Sequence, residues 1–584
     1  MAKAKKGAKI VEAMEAAKPP PKPPDEPPGP PSDGEMLASC PVQPLGTRKG
    51  IYFYISSLGE VRELRDTAHR WQGITSLFGG NADWLFKHFP RKTEETVTGW
   101  QERKAASWLM RQCSRRGLFD PAHGIRGPGV WRGGDGGLIV HCGDAVFDGK
   151  DWQGAGCELG DVHYPAYPAE PRPDFAHPAS AEDAAYLHDH LGMWAWRNPP
   201  GATRLVHGWM MCAMICGALD WRPHVWISGD IATGKSALER LLTTALGGTR
   251  AIWRASDVTD AGIRMGLDGA AKAVLLDEIE PKAGSNKVQR VVELARLAST
   301  DDQGAVVRGS VEGLARAWHI RGCFYFTSVI TAPLKPADKK RICVIDLDPL
   351  PASDDIGAVR QVLRSARERV RLLAPGSRAR MILGWVRFIE NMETYDLAMG
   401  GLGQSVRHAD QLGTILAAHD TALYDDPVSL DHALARIEGL GIENYIAGPD
   451  ESAHADCLAH LLSTTLAIDF ISGGTTRMTI GEIATKALDT DYYQAELRRN
   501  GLAVREQNGR RFLLVARRHR GLNDIFANTD WERGAWSQLL ARLKSADGAV
   551  AEMPRQMVSF AGAKERAVWI PFEMIEEQGR DEID

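Results

Sequence analysis

The chain has 584 residues, of which 44% are hydrophobic and 25% are charged, and its formal net charge is −5. This length and apolar content predict three or four domains with buried cores. The slightly acidic balance excludes a protein that is cationic as a whole, so any contact with nucleic acid has to be local.

The nine cysteines include no CxxC pair and no zinc-finger spacing. The charged N-terminus lacks an apolar leader segment, so we expect a reduced, cytoplasmic protein. The apolar run WMMCAMICGALDW is too short to cross a bilayer, and we expect no membrane partner. Cys212 and Cys216 lie one helical turn apart in this run, which favours core packing over a metal site.

The N-terminal part of the chain changes from a biased segment to a globular pattern. Residues 1–35 are rich in Ala, Lys and Pro, which predicts a disordered tail. An α+β N-terminal domain is predicted over 45–165. In it, 51–55 predicts a strand, 96–116 contains an amphipathic helix, and the glycine-rich residues 126–149 predict short strands with tight turns.

A linker with a helical lead-in is predicted over 166–199, and a nucleotide-binding domain over 200–350. The motif that defines this domain is HVWISGDIATGKS at 224–236, an apolar strand pattern followed by a glycine-rich turn and a helical leucine pattern. Backbone N–H groups in such a loop surround phosphates, and the helix N-terminus adds a favourable dipole. Lys235 would reach the β- and γ-phosphates of ATP, and the Ser236 hydroxyl would hold Mg²⁺. The residues expected at the nucleotide are Gly229, Asp230, Ile231, Ala232, Thr233, Gly234, Lys235, Ser236 and Ala237.

A second acidic motif follows at 273–278, where Ala-Val-Leu-Leu predicts a buried strand that ends in two carboxylates. We expect this strand to lie beside the phosphate loop in a parallel sheet, since ligands gather at strand carboxyl ends. Asp277 would complete the Mg²⁺ site, and Glu278 would polarise the attacking water, which favours hydrolysis over phosphoryl transfer. The alternative is an ordinary strand followed by a solvated acidic turn.

Residues 304–322 predict a hairpin, because two short apolar runs flank Gly309-Ser310. The cations Arg308, Arg316 and Arg321 suit contact with a nucleic-acid backbone without sequence readout. An edge hairpin kept soluble by its arginines is the equally weighted alternative.

The strand predicted at 323–330 carries polar residues toward its end, where a γ-phosphate sensor is expected. Thr327 and Ser328 are the leading sensor candidates, with Thr331 as a third. Downstream, Arg341 follows two lysines and is the candidate for an arginine finger that acts on the nucleotide of a neighbouring subunit. A solvated basic turn is the alternative for Arg341.

The rest of the chain predicts a helical lid over 351–472 and a winged-helix domain over 473–584. An independent bundle is an equally compatible interpretation of the helical part, in which 404–424 predicts an amphipathic helix with an Ala/Leu face. The last domain has two helix patterns at 479–488 and 491–500, then a hairpin around Asn508-Gly509, the favoured type I′ pair.

The C-terminal domain is locally basic, which favours DNA binding. Residues 498–520 hold eight arginines and one acid, Glu506. The alternative is a small interaction domain that binds no nucleic acid. The predicted DNA contacts are Arg498, Arg499, Arg510 and Arg511.

The ordered motifs GDIATGKS, AVLLDEIE, the stretch from ARLASTDDQGAVVRGS to FYFTSVITAPL, and KKRICVIDL resemble the helicase half of phage and plasmid primase-helicases, a superfamily 3-like group. The resemblance is strongest over 200–350 and weaker over 45–165. It implies an α/β fold with an AAA+-like P-loop NTPase core and a homo-hexameric ring. Such a ring translocates on single-stranded DNA and separates the duplex at a fork.

By motif match, the resemblance implies nucleotide chemistry at Lys235, Ser236, Asp277 and Glu278, and it implies the trans-acting finger at Arg341. The chain departs from the family at the sensor, where the family usually has asparagine and this chain offers hydroxyl residues.

The leading functional hypothesis is an ATP- and Mg²⁺-dependent DNA helicase or translocase for phage or mobile-element replication. The chain has no convincing primase half, so we expect a separate primase or replication protein as a partner. A ring ATPase that loads or remodels proteins on DNA without unwinding is one alternative. An ATP-switched DNA-binding regulator is another.

Overall fold

The computed structural model describes residues 32–93, 96–256, 258–280, 286–300, 306–309, 315–329, 331, 334–349, 356–445, 451–469, 474–527, 529, 531, 534–543 and 550–578. The chain divides into two compact units. The first comprises the residues up to Arg172 together with Leu267–Ala271 and Ala305–Ile320, and the second comprises the remainder. The division after Arg172 falls inside the predicted linker.

The first unit is built from short helices and small antiparallel sheets. Its sheets have the strand orders β1-β2-β3, β4-β5, β6-β7-β8-β9 and β10-β11. The elements are α1 Asp33–Ser39, β1 Gln43–Arg48, β2 Ile51–Ile55, β3 Val61–Arg65, α2 Trp71–Leu77, α3 Asp83–His88, β4 Pro90–Thr93, β5 Thr96–Trp100, α4 Glu102–Arg116, α5 Pro121–Gly124, β6 Gly129–Arg132, β7 Leu138–His141, β8 Ala145–Phe147, β9 Trp152–Gly154, β10 Cys157–Leu159 and β11 Val162–Tyr164.

The strand predicted at 51–55 and the short strands within 126–149 are confirmed, while one predicted boundary is wrong. The helix expected within 96–116 is confirmed as α4, Glu102–Arg116, and the residues before it form β5. The predicted tail overlaps α1, because Ser32 and Glu35 form a reciprocal capping box that starts this helix. The part of the tail at 1–31 lies outside the described residues.

The second unit contains a parallel sheet with helices. The next elements in the chain are α6 Ala181–Leu191, α7 Gly201–Met214, β12 His224–Gly229, α8 Lys235–Ala245, β13 Ile252–Ala255, α9 Asp260–Leu267, β14 Ala273–Leu276, α10 Lys287–Ala298, β15 Val306–Gly309, β16 Ala315–Trp318, β17 Phe324–Ser328, α11 Pro336–Lys339 and β18 Ile342–Leu347. Strands β15 and β16 pair antiparallel, as the predicted hairpin requires, and this segment belongs to the first unit.

The sheet has the strand order β13-β14-β17-β12-β18, and every neighbouring pair in it is parallel. Trp226, Phe326 and Leu276 lie level with one another across three of its strands. Strand β14 lies in the same parallel sheet as the phosphate-loop strand β12, as expected, and β17 separates the two. The carboxyl ends of all three strands therefore meet at one edge, with β17 in the middle.

The helical region packs onto the helices of the sheet domain. Its elements are α12 Ile356–Leu383, α13 Trp385–Gly401, α14 Val406–His408, a π-turn Ala409–Gly413, α15 Thr414–Leu423 and α16 Leu430–Glu438. Helix α15 crosses α7 so closely that a Cβ atom on Gly208 would lie 2.1 Å from the carbonyl oxygen of Ile415. The helix expected at 404–424 is present over 406–423, but the prediction that it is amphipathic is wrong, since every residue from 414 to 422 is buried.

The C-terminal part contains the predicted helices and hairpin. Its elements are α17 Glu451–Ser463, β19 Thr465–Asp469, β20 Thr475–Thr479, α18 Ile480–Lys486, α19 Asp491–Arg499, β21 Leu502–Gln507, β22 Arg510–Ala516, α20 Arg520–Ile525, α21 Ala535–Leu540, β23 Met557–Phe560, β24 Ala563–Pro571 and α22 Glu573–Gln578. The hairpin turn has the positive φ angles of a type I′ turn, 51° at Asn508 and 75° at Gly509. The hairpin extends into a sheet of order β21-β22-β24-β23, which the sequence did not indicate.

Across the part of the chain that the structure describes, we find no helix whose length and apolar character would suit a membrane span.

Candidate functional site

The phosphate-loop motif forms the connection between β12 and α8. Gly229 is the last residue of the strand, and a Cβ atom there would lie 2.6 Å from the carbonyl oxygen of Leu347. Gly234 precedes the helix with a φ of 89°, in the left-handed region. Both positions therefore require glycine, one for close approach of β18 and the other for its backbone conformation.

The loop residues surround the amino group of Lys235. Lys235 Nζ donates to the backbone oxygens of Gly229 and, at 2.9 Å, of Asp230. Thr233 is buried, and its hydroxyl donates to the Asp230 oxygen at 3.0 Å. The single cation of the loop thus lies at its centre, at the N-terminal end of α8, where a helix dipole favours an anion.

Thr327 at the end of β17 contacts the acidic motif after β14. Its hydroxyl donates to Asp277 Oδ1 at 2.6 Å and accepts from the backbone N–H of Glu278 at 3.3 Å. The Thr327 side chain is fully buried. The hydroxyl therefore fixes the orientation of the Asp277 carboxylate and leaves its second oxygen, Oδ2, for other contacts.

The other two sensor candidates lie elsewhere. The Ser328 hydroxyl accepts from Trp226 Nε1 at 2.7 Å and so ties β17 to β12 inside the sheet domain. Thr331 follows the end of β17 by three residues. Of the three predicted hydroxyls, Thr327 is the one that the structure brings to Asp277.

Glu278 has the backbone conformation of a strained site residue. Its φ is 56°, in the left-handed region that non-glycine residues avoid, and its side chain is exposed. Non-glycine residues in such conformations cost of order 1–3 kcal/mol and cluster at functional sites.

Glu239 belongs to this site, although the sequence reasoning missed it. It lies on α8 three residues after Ser236, and therefore on the same helix face, and its side chain is 1% exposed. Burial and the neighbouring Asp277 carboxylate raise the pKa of Glu239, and a hydrogen bond from Arg254 Nε opposes this. Because Glu239 interacts with Asp277, the Ser236 face of α8 points toward Asp277. The signal that could have found it is a lone acid three residues after the Ser of the phosphate loop.

A further set of contacts holds the end of β18 beside the loop. Asp346 accepts hydrogen bonds from Ser228 Oγ and, at 3.1 Å, from Arg197 Nη1. Arg197 Nη2 also donates to Asp348 Oδ1 at 2.9 Å, and Trp194 Nε1 donates to the Gly234 oxygen at 3.2 Å. The acidic pair at the end of β18 thus anchors the segment that precedes α7 against the phosphate loop.

The donor set fits a nucleoside triphosphate with Mg²⁺. The glycine-lined loop, the N-terminal end of α8 and Lys235 are the chemistry that phosphates need, and hydroxyl and carboxylate oxygens are the ligands that Mg²⁺ prefers. The residues that the sequence predicts to hold the metal, Ser236 and Asp277, supply oxygens of these two kinds.

Arg341 does not lie where an arginine finger is expected. It precedes β18, at the amino edge of the sheet, whereas the phosphate loop follows the carboxyl end of β12. Its side chain is buried, Nη1 donates to the Ala337 oxygen at 2.6 Å, and the guanidinium lies 5.7 Å from the Trp221 ring centroid. Burial and the nearby Arg407 lower the pKa of Arg341. An interior side chain of this kind is not presented to a neighbouring subunit.

The predicted DNA contacts of the hairpin are only partly described. Arg308 on β15 and Arg316 on β16 lie directly opposite each other in the antiparallel pair, and their side chains lie outside the described part of the structure. Arg321 follows the hairpin, and its backbone oxygen accepts from Cys216 Sγ at 3.6 Å.

The predicted C-terminal DNA contacts include arginines with acidic partners. Arg499 pairs with Glu496 at 2.6 Å, Arg510 with Glu573 at 3.1 Å, and Arg511 loosely with Glu506 at 3.9 Å. The sequence window of 498–520 contained neither Glu496 nor Glu573, so it overstated the local positive charge. The arginines of this window with exposed side chains are Arg498, Arg499, Arg511, Arg517, Arg518 and Arg520.

Comparison with known proteins gives only distant similarities. No protein-family model and no curated protein matches the chain. Among solved structures, the C-terminal region of NrS-1 is 12% identical, with 76% of this chain and 98% of that chain covered and a TM-score of 0.27. JCV helicase is 11% identical, with 41% and 65% covered and a TM-score of 0.23. A full-length MCM homolog from Methanopyrus kandleri is 16% identical, with 54% and 76% covered and a TM-score of 0.27. At these TM-scores the similarities carry no argument about the function of this chain.

Proposed function

We propose that this protein hydrolyses ATP with Mg²⁺ and uses the energy to move along DNA and separate its strands during replication of a phage or other mobile element. The observation that carries the ATPase part is the contact of Thr327 with Asp277 at the sheet edge where the Lys235 loop also lies. A carboxylate held by a buried donor beside a phosphate loop suits metal-assisted hydrolysis.

Each side chain has a defined part in this proposal. Lys235 and the loop N–H groups bind and neutralise the phosphates, and Ser236 with Asp277 would hold the metal, which would supply further charge neutralisation at the phosphates. Glu278, exposed next to Asp277, accepts a hydrogen bond from the attacking water and orients it. Thr327 keeps Asp277 in one orientation. The buried Arg341 has no part in the proposal.

The DNA part of the proposal depends on the C-terminal arginines and on the sequence resemblance. Two helices followed by a hairpin suit a winged-helix contact to a phosphate backbone. Exposed arginines lie on the second helix, at Arg498, and directly after the hairpin, at Arg517 and Arg518. Assembly into a hexameric ring and action on single strands at a fork belong to the same proposal and come from the resemblance. Cytoplasmic location and cooperation with a separate primase also belong to it, and they come from the sequence composition and from the lack of a convincing primase half.

The test is an ATPase assay on the full chain, with and without single-stranded DNA, beside unwinding of a forked duplex. We expect hydrolysis that single strands stimulate and strand separation that depends on ATP, and both should be lost in Lys235→Ala. Absence of hydrolysis in the wild-type protein refutes the proposal. Hydrolysis without strand separation, stimulated only by a partner protein, would favour a loader. Slow turnover with tight duplex binding would favour an ATP-switched regulator.

A further inference from the structure

Glu239 is a buried acid whose two carboxylate oxygens have different surroundings. Its side chain is 1% exposed, and one oxygen, Oε1, accepts from Arg254 Nε. Oε2 is buried and, among the described residues, meets no hydrogen-bond donor. A buried carboxylate oxygen without a donor is unfavourable unless a cation, a proton or a water molecule reaches it.

The neighbour of this group is another acid, Asp277, which lies close enough to raise the pKa of Glu239. Asp277 Oδ1 already accepts from the Thr327 hydroxyl, and a second nearby hydroxyl, that of Tyr325, is buried and has no hydrogen-bond partner in the described part of the chain. Burial raises the pKa of Tyr325, and both carboxylates add to this effect. Two carboxylates in contact repel each other, so this arrangement suits a positive charge at Asp277.

We infer that Glu239 is a positioning residue of the magnesium site, which acts through Asp277 and through water bound to the metal. Mg²⁺ retains several waters and uses one or two protein carboxylates, so a further acid beside the ligand has waters to accept from. Arg254 pairs with Glu239 and limits the negative charge that the two acids present to a metal ion. The inference rests on the proposed function, because it concerns the same metal–nucleotide complex.

The experiment measures metal affinity rather than turnover. The full chain is saturated with ADP and titrated with Mn²⁺, and the bound ion is followed by electron paramagnetic resonance. We expect Glu239→Gln to weaken Mn²⁺ binding roughly tenfold, since loss of a partner of a metal ligand typically costs ten- to a hundredfold in affinity. ADP binding without metal should change less than twofold. Glu293→Gln is the matched control, because Glu293 lies on α10 with a side chain that is 57% exposed and pairs with Arg296.

A second variant protects the test against misfolding of Glu239→Gln. Arg254→Gln removes the cation that competes for Glu239, so Mn²⁺ should bind a few-fold more tightly, whereas a purely structural pair predicts equal or weaker binding. Unchanged Mn²⁺ affinity in a folded Glu239→Gln protein overturns the inference and leaves the proposed function intact. If the wild-type protein fails to bind Mn²⁺ with ADP at all, the proposed function and this inference both fall.

Discussion

The hydroxyl of Thr327 gives the sharpest quantitative prediction. Thr327→Val keeps the shape of the side chain and removes the donor that lies 2.6 Å from Asp277 Oδ1. A hydrogen bond to a charged group contributes about 1.5–3 kcal/mol, and each 1.36 kcal/mol is about tenfold in rate. We therefore expect the kcat of ATP hydrolysis to fall roughly ten- to a hundredfold. The KM for ATP should change little, because the Lys235 loop is untouched.

The adjacent Ser328 provides a matched control on the same strand. Ser328→Ala removes the acceptor of the Trp226 Nε1–H, so it should lower the free energy of unfolding by about 1–3 kcal/mol and leave kcat close to wild type. Steady-state kinetics and urea unfolding of both variants measure the two effects. Equal kcat in Thr327→Val and wild type, or a larger loss of kcat in Ser328→Ala, would refute the assignment of Thr327 as the residue that orients Asp277.

Three further predictions concern stability and DNA binding. Gly208→Ala should lower the free energy of unfolding by about 1–3 kcal/mol or more, because its Cβ would lie 2.1 Å from the Ile415 oxygen. Gly400→Ala, whose Cβ would have no atom of the described residues within 4 Å, should be neutral or stabilising in thermal unfolding. Burial lowers the pKa of His207 and of His224 from 6.5 to about 3, so these histidines take up protons more readily in the unfolded state than in the folded state. The free energy of unfolding should therefore fall as the pH drops below about 6.5, by up to about 1.4 kcal/mol per pH unit for each histidine. Urea unfolding between pH 7.5 and 4.5 measures this slope, and a flat profile would contradict it. Arg498→Ala should weaken DNA binding, measured by fluorescence anisotropy, and reduce the slope of log affinity against log salt by about 1. Arg510→Ala should have the smaller effect, because the Arg510 guanidinium already pairs with Glu573. The reverse order would count against the proposed DNA surface.

The phosphate loop and the acidic strand could be predicted because each is a continuous stretch whose pattern encodes its own local structure. The strand before Gly229, the helix after Gly234 and the strand before Asp277 all formed as expected. The type I′ turn at Asn508-Gly509 is of the same kind, since two adjacent residues determine it.

The features that sequence reasoning missed depend on which elements become neighbours. Strand order placed Thr327, rather than Ser328, against Asp277, and no local pattern distinguishes the two hydroxyls. In the sequence, Glu239 is one polar residue within a helical leucine pattern, and its role depends on the fold, which brings Asp277 close to it. The prediction of an arginine finger at Arg341 depends on the distance of this residue from β17 along the chain. The connection between β17 and β18 returns to the opposite edge of the sheet, so Arg341 lies at the amino end of β18.

The return of Leu267–Ala271 to the first unit determines how this chain can be divided. Gly127 N–H donates to the Gly269 oxygen at 3.1 Å, and Ala271 N–H donates to the Pro128 oxygen at 2.9 Å. A fragment that ends at Arg172 would lose both hydrogen bonds. A fragment that begins after Arg172 would contain Leu267–Ala271 without the residues that this segment bonds to. Simple truncation at this point would thus destabilise both fragments. A fragment for the first unit should carry residues 267–271 joined to it by a linker.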